Sequence, residues 1–195
     1  MENVQEKTLN YKPWVTSGKA VGLVFNENFE IVVIDDKNKF TKELESKIPG
    51  GKRKRNNEID VLKESSETCI DRELREELFI KILNKNFAGT IIIEDERRKG
   101  FLHTKDVYII ENDQWKEVGK VHENQVYERK FYSIDKAWEI VHRTHRPLLA
   151  IGLVSFFAIH PDIKKEYELV AMFVESEVRK IERENQNFIT KIMKK

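Results

Sequence analysis

Three glutamates within one helical turn are the residues of this sequence best suited to chemistry. Glu73, Glu76 and Glu77 lie at positions i, i+3 and i+4 of residues 72–77, so a helix would place them on one face with their Cβ atoms about 5–6 Å apart. Exposed like charges at that spacing repel by about 0.2–0.5 kcal/mol per pair, which disfavours the arrangement unless a cation binds. Carboxylate oxygens are the ligands that hard divalent cations prefer, so the sequence indicates a metal site.

The element predicted to carry these glutamates is a helix from Ser65 or Ser66 to Leu78. Ile70, Leu74 and Leu78 recur every four residues and predict its buried stripe. At 100° per residue, the glutamates lie about 100° from that stripe. The helix is therefore expected to present one face to the core and the adjoining face to a cleft.

The residues around this helix resemble the Nudix box, G-x5-E-x7-R-E-U-x-E-E-x-G-U, in which U is a bulky aliphatic residue. The positions that match at the required spacing are Glu64, Arg72, Glu73, Leu74, Glu76, Glu77 and Ile80. Pro49-Gly50-Gly51 resembles the turn that opens the box. The box covers residues 51–80, and a looser similarity extends over residues 18–160.

The sequence departs from the box at two places. Twelve residues separate Gly51 from Glu64 where the family has five, so seven residues are inserted. Phe79 stands where the family has its closing glycine. Glycine would supply a left-handed C-cap, and a phenylalanine in that conformation costs about 1–2 kcal/mol. We therefore predict that the helix ends differently or runs one residue further.

The resemblance implies a metal-dependent hydrolase that cleaves the pyrophosphate bond of a nucleoside diphosphate linked to another moiety. Mg²⁺, or Mn²⁺, would place positive charge on the phosphoryl oxygens that water attacks. Glu73 and Glu77 are the first-choice ligands, and Glu76 would hold a second ion or bind through water. By resemblance, the Gly51 backbone carbonyl is a further ligand.

The sequence leaves two assignments open, the partner of Arg72 and the identity of the general base. Arg72 can reach Glu76 at i+4, but the resemblance implies that it pairs with Glu64 or orients Glu73. The general base is a box glutamate, either Glu73 or Glu77, or else Glu123 in the loop before the last predicted strand.

A basic run directly follows the glycine pair, and its residues are Lys52, Arg53, Lys54 and Arg55. Four adjacent cations suit a polyphosphate or a nucleic-acid 5′ end, although such a run is also typical of a solvated loop. A (deoxy)nucleoside triphosphate or an RNA 5′ end is thus an alternative substrate. The alternative class is a nucleotide-binding regulatory protein of Nudix fold without turnover.

The composition places few further limits on function. The 195 residues carry a net charge of +1, so no overall field selects nucleic acid or a membrane surface. The single cysteine, Cys69, is expected to be buried; it excludes an internal disulfide and fits a reducing compartment. The longest apolar run, residues 148–159, is shorter than the roughly 20 residues that span a membrane, so a cytoplasmic protein is expected.

The predicted fold is α/β, a Nudix-like α/β/α sandwich with a mixed sheet and a C-terminal helical extension. Apolar runs predict strands at 20–25 and 31–34, joined as a hairpin, and at 87–94, 102–110 and 128–132. Helices are predicted from Ser133 through Val141 and over 148–159. The expected organisation is an N-terminal segment (1–17), a Nudix-like domain (18–160) and a long helix (161–195).

That long helix, predicted as one element over 163–195, carries a short heptad pattern. Its positions are Val174, Val178, Ile181, Asn185, Phe188 and Ile192. The pattern predicts either a two-stranded coiled coil, and hence a homodimer, or a helix packed on its own domain.

Overall fold

The structure, a computed structural model, describes residues 15–37, 42–56, 61–94, 102–119 and 129–193. Its strands are β1 (Val15–Val24), β2 (Ile31–Lys37), β3 (Leu44–Lys47), β4 (Gly50–Lys52), β5 (Arg55–Asn56), β6 (Val61–Leu62), β7 (Ile80–Ile82), β8 (Asn86–Glu94), β9 (Leu102–Ile110), β10 (Trp115–Glu117) and β11 (Arg129–Tyr132). Its helices are α1 (Ser66–Leu78), α2 (Ile134–Ile140), α3 (Arg146–Ile159), α4 (Pro161–Glu166) and α5 (Glu168–Met193), with a short 3₁₀ helix at Asn112–Gln114.

A four-stranded mixed sheet lies at the centre of the fold, in the order β4-β1-β9-β8. β1 runs parallel to β9, whereas the β1–β4 and β8–β9 pairs are antiparallel. A second sheet has the order β11-β2-β3.

Strands β1 and β2 correct the predicted hairpin. Both strands form, but they belong to different sheets. They are joined at the turn by the bridge between Phe25 and Ile31 and by a hydrogen bond from the Asn26 backbone N–H to the Glu30 carbonyl at 3.1 Å. Both edges of β1 are taken, one by β4 and the other by β9. β2 therefore turns away and pairs with β3 and β11.

The sheet is apolar on both faces because helices cover both. Val21 and Leu23 of β1 belong to a cluster that includes α3 and α5 residues, whereas Ala20 and Val24 pack with α1. This alternation follows from the two-residue period of a strand. α3 approaches so closely that a Cβ at Gly152 would collide with Leu23. The predicted α/β/α sandwich with a mixed sheet is confirmed.

The box helix forms where the sequence predicts it. Ser65 is the N-cap, and its Oγ accepts a hydrogen bond from the Thr68 backbone N–H at 3.0 Å. The predicted stripe of Ile70, Leu74 and Leu78 is buried. The remaining face of α1 is therefore available for the glutamates.

The prediction of a single C-terminal helix is wrong, because the helix is interrupted at Tyr167. That residue, with φ −104° and ψ 39°, separates α4 from α5. α5 packs on its own domain, since Val174 and Ile181 are buried in the α3 cluster and Val178 packs against it. Among the helices described, none is both long enough and apolar enough to cross a membrane.

Asn185 occupies the polar position of the predicted heptad pattern and contacts β8. Its Oδ1 accepts a hydrogen bond from the Ile92 backbone N–H at 3.2 Å, and its Nδ2 donates to the Thr90 carbonyl at 3.5 Å. β8 is an edge strand of the central sheet, and unpaired edge groups need partners. The amide thus covers part of that edge within the monomer.

Candidate active site

The glycine pair that opens the box lies on β4 against β1. Gly50 has φ +135°, and a Cβ there would collide with the backbone of Ala20 and Val21. A Cβ at Gly51 would collide with the carboxylate of Glu73. The two glycines therefore let the turn lie against both the sheet and the carboxylates of α1.

The described residues on either side of the insertion keep Glu64 at the box. Strands β5 and β6 pair antiparallel and form a small ribbon after Lys54. At its base, the Lys54 backbone N–H donates to Glu64 Oε2 at 2.8 Å, and the Lys54 carbonyl accepts from the Lys63 and Glu64 backbone N–H groups. The ribbon therefore returns Glu64 to the box.

Arg72 connects the carboxylates of the site. Its Nε and Nη2 donate to the two oxygens of Glu64, each at 2.9 Å, and its Nη1 donates to Glu73 at 2.7 Å and to Glu76 at 3.2 Å. Nη2 also donates to the Lys52 carbonyl at 3.1 Å. Arg72 thus makes all the contacts that the sequence left as alternatives.

The Glu64–Arg72 pair is strongly ionic. Glu64 is buried, yet the hydrogen bonds from Arg72 outweigh desolvation and lower the pKa of Glu64 to about 2, with a contribution from the Lys54 backbone N–H. The hydrogen bond to Glu64 likewise raises the pKa of Arg72. Both groups therefore stay charged at neutral pH.

Glu77 is the buried carboxylate beside the glycine turn. Its Oε2 accepts from the Gly50 backbone N–H at 2.7 Å, and its Oε1 lies 4.0 Å from Lys47 Nζ. Burial raises the pKa of Glu77 to about 7; Gly50 and Lys47 oppose this shift, and the charges of Glu73 and Asp36 add to it. Asp36 also binds Lys47, at 2.6 Å.

The donors fit a divalent cation in their chemistry. Glu73 and Glu77 both lie against the glycine turn, and their oxygens are the ligand type that Mg²⁺ prefers. Within the described residues, no three acidic, histidine or cysteine side chains are already gathered as a metal cluster, and Glu76 is directed at Arg72. The Gly51 carbonyl lies 3.6 Å from Cys69 Sγ, which donates to it.

The described side chains of the basic run differ in their exposure and in their contacts. Lys52 is exposed and pairs in register with Lys19 of β1. Arg53 lies on the α1 side of the sheet, where Nε donates to the Glu64 carbonyl at 2.9 Å and Nη1 lies 3.8 Å from Asp106. Lys54 is exposed, the Arg55 side chain is outside the described part, and so is the candidate base Glu123.

Sequence reasoning did not single out three polar residues that lie near the box. Lys47 and Asp36 come from the second sheet, and only the tertiary fold brings them to Glu77. Lys19 did carry a signal, because it shares the strand parity of buried Val21 and Leu23 and so lies on an inward-facing row.

Cys69 is buried, as predicted. Burial and the neighbouring charges of Glu64 and Glu73 raise the pKa of its thiol to about 12. A protonated, buried thiol is a poor nucleophile, so Cys69 has a packing role.

Phe79 corrects the predicted helix end. It has φ 55° and ψ 40° and forms a left-handed C-cap directly after Leu78. The chain thus keeps the conformation that glycine would favour, although a Cβ in that region costs about 1–2 kcal/mol. The Phe79 carbonyl then accepts the Val118 backbone N–H at 2.8 Å.

Solved structures share this architecture. An ADP compounds hydrolase matches with a TM-score of 0.56 and 11% identity, over 74% of each chain. A Nudix hydrolase from Nitrosomonas europaea matches at 0.53 and 15% identity, over 73% of this chain and 88% of that one. The E. coli ORF135 protein matches at 0.53 and 18% identity, over 74% of this chain and 90% of that one.

Neither the family models nor the sequences of curated proteins gave a match. At these identities the likeness to solved structures shows the fold alone. The box residues described around Arg72 are a separate observation that agrees with this fold. The chain therefore has the Nudix hydrolase fold.

Proposed function

We propose that this chain is a divalent-metal-dependent hydrolase that cleaves the pyrophosphate bond of a nucleoside diphosphate linked to another moiety. The observation that carries the proposal is that Glu73 and Glu77 both lie against the Gly50-Gly51 turn. The ion pair between Arg72 and Glu64 holds the Arg72 side chain in place on the same face of α1.

The roles of the residues follow from these contacts. Glu73 and Glu77 would hold Mg²⁺ or Mn²⁺, Glu76 would hold a second ion or bind through water, and the Gly51 carbonyl would be a further ligand. The ion supplies positive charge to the phosphoryl oxygens and to the attacking water. Arg72 keeps Glu73 oriented through its hydrogen bond at 2.7 Å.

The reaction balances as a simple hydrolysis. The water oxygen bonds to phosphorus, the bridging P–O bond breaks, and a carboxylate of the site accepts the proton released by water. The products are a nucleoside monophosphate and the phosphorylated second moiety. The bridging oxygen leaves with that moiety and with the electron pair of the broken bond.

Two alternatives remain relevant to the design of the test. Exposed Lys52 and Lys54 beside the box support a (deoxy)nucleoside triphosphate or an RNA 5′ end as a second substrate class. A nucleotide-binding protein without turnover is the other functional class, but the presence of all three box carboxylates supports an enzyme.

The experiment is a panel of nucleoside diphosphate derivatives and triphosphates assayed with Mg²⁺ or Mn²⁺. We expect cleavage by the wild type, and a loss of kcat of about a hundredfold or more in Glu73→Gln and Glu77→Gln. Glu67→Gln is the matched control, because Glu67 is an exposed acid of the same helix. If the folded wild type cleaves no member but binds one, the protein is a binding module instead.

A further inference from the structure

Helix α5 carries apolar side chains on two sides, and within the described residues only one side is buried. Val174 and Ile181 pack into the core, whereas Leu169, Met172 and Phe173 are exposed to 73%, 62% and 61%. The three exposed residues lie at i, i+3 and i+4, so they are neighbours on the helix surface. Neighbouring exposed apolar side chains of this size mark an interaction surface.

Phe173 also lines an open groove between α5 and the segment that joins α2 to α3. This α5 groove has a volume of about 560 Å³, and its lining includes Trp138, Arg143, Arg146, Phe173, Glu177 and Lys180. Trp138 is half-buried and packs against the main core cluster, which holds its ring in place. The groove therefore offers one aromatic side chain that is fixed by packing and one that is largely exposed.

Three cations line the same groove. Arg143 is exposed and forms no ion pair with another described residue. Arg146 is exposed as well, and its Nη2 donates to the Glu139 carbonyl at 3.2 Å. Lys180 is exposed, and its Nζ lies 4.0 Å from Glu177 Oε1. Both guanidinium groups thus remain able to bind a carboxylate.

Nearby acids do not balance this charge. Of the described residues that line the groove, Glu177 is the one acid, so three cations are opposed by one carboxylate. The Glu139 side chain pairs instead with Lys136, at 2.8 Å. The unbalanced positive charge favours an anionic ligand.

The side chains of this surface fit a protein segment better than a small molecule or a nucleic acid. Small ligands bind in cavities that bury about 70–90% of their surface, whereas the α5 groove is open. Nucleobases gain affinity by stacking on aromatic rings, which Leu169 and Met172 beside Phe173 do not have. Aromatic, methionine and arginine side chains are together enriched in protein interfaces. Apolar contact and carboxylates are therefore both required of the ligand.

We infer that the α5 groove docks an acidic segment of another protein that also carries large apolar side chains. Its carboxylates pair with Arg143, Arg146 and Lys180, and its apolar side chains cover Phe173 and the neighbouring apolar surface of α5. This inference goes beyond the proposed function and does not depend on it, because no residue of the groove belongs to the box.

Selection from random peptides displayed on phage tests the inference on the full chain, with Phe173→Asp protein as a soluble competitor. We expect the selected peptides to be enriched in Asp and Glu and in large apolar residues. In calorimetric titration with a synthetic selected peptide, Arg143→Ala and Phe173→Ala should each weaken binding by about tenfold or more. Arg179→Ala, an exposed arginine of α5 outside the groove, and Phe87→Ala, an exposed phenylalanine of β8, are the matched controls and should bind like the wild type.

Three results would overturn the inference. The first is a selection that yields no peptides dependent on the groove, or peptides without an excess of acids. The second is binding of a single-stranded oligoadenylate with a 5′ hydroxyl that requires Arg143 and Phe173, which would assign the groove to nucleic acid. The third is self-association in sedimentation equilibrium that Phe173→Ala abolishes and Phe87→Ala does not, which would assign the groove to a second copy of this chain.

Discussion

Arg72 and Glu64 form a bidentate ion pair across the base of the inserted ribbon. Nε and Nη2 of Arg72 each lie 2.9 Å from a different oxygen of Glu64. Because Nη1 of the same guanidinium donates to Glu73, the pair fixes the orientation of a carboxylate at the glycine turn. Under the proposed function, Glu64 would act on the site through Arg72, as a positioning residue.

Replacing Glu64 by Gln should lower the free energy of unfolding at pH 7 by about 1–3 kcal/mol. The substitution keeps the shape of the side chain but deprives Arg72 of its ionised partner in a buried place. Urea denaturation measures the change. Glu67→Gln, an exposed acid at the start of α1, should change stability by less than about 0.5 kcal/mol.

The same pair predicts an acid dependence. The pKa of Glu64 falls from its ordinary value of 4.5 to about 2, so its contribution to stability is complete above pH 4.5 and is lost as the pH falls towards 2. Glu64→Gln should therefore lose less stability than the wild type over that interval. Parallel stability curves for the two proteins would contradict the ionic role.

The left-handed cap at Phe79 reverses the usual ranking of alanine and glycine. Within a helix, glycine is less stable than alanine by about 0.5–1 kcal/mol. Since Phe79 has φ 55°, a Cβ is unfavourable there, and Phe79→Gly should exceed Phe79→Ala in unfolding free energy by about 1 kcal/mol. Chemical denaturation of the two variants is sufficient, and greater stability of Phe79→Ala would mean that the helix continues through residue 79.

Local patterns in the sequence predicted the geometry of the box helix. The four-residue period of Ile70, Leu74 and Leu78 was sufficient to orient α1, because it depends only on residues within that helix. The resemblance to the Nudix box implied the contact between Arg72 and Glu64, and the insertion does not prevent it because β5 pairs with β6. The resemblance also implied that the Gly51 carbonyl lies near the glutamates, and the structure places the Gly50-Gly51 turn against Glu73 and Glu77.

Contacts between distant segments were not predictable in the same way. β2 leaves β1 because residues 102–110 take the edge that a hairpin would have used. Lys47 reaches Glu77 from a different sheet, and no local period encodes that approach. The parity of β1 could have singled out Lys19, but its partner Lys105 depends on a register between strands that are far apart in the chain.

Asn185 distinguishes packing within the monomer from a coiled coil. At the polar position of a coiled coil, leucine would raise stability and strengthen association. Here the amide bonds the Ile92 N–H and the Thr90 carbonyl, so Asn185→Leu should lower the unfolding free energy by about 1 kcal/mol. Denaturation and size-exclusion chromatography together distinguish packing within the monomer from a coiled coil. A more stable variant of larger apparent mass would support the coiled coil.

His145 predicts that the wild type loses stability in mild acid relative to a variant without this histidine. Burial beside Lys19, Lys47 and Lys105 lowers its pKa from an ordinary value of 6.5 to about 3, so below pH 6.5 the unfolded chain binds a proton that the folded chain does not. Between pH 7 and 5 this difference should cost the wild type about 1–2 kcal/mol of stability relative to His145→Gln. The raised pKa of Glu77, about 7, acts in the opposite direction over this interval, and it does so in both proteins. His145→Gln has no such proton to bind and should lose less over the same range.

The pH interval for His145 lies above the range in which the contribution of Glu64 changes, because the ordinary pKa of Glu64 is 4.5. An NMR titration of the His145 ring gives a second, direct measurement. If the ring protonates near pH 6.5 in the folded protein, His145 is not enclosed among the lysines, and the cationic environment at the start of α3 is weaker than the structure indicates.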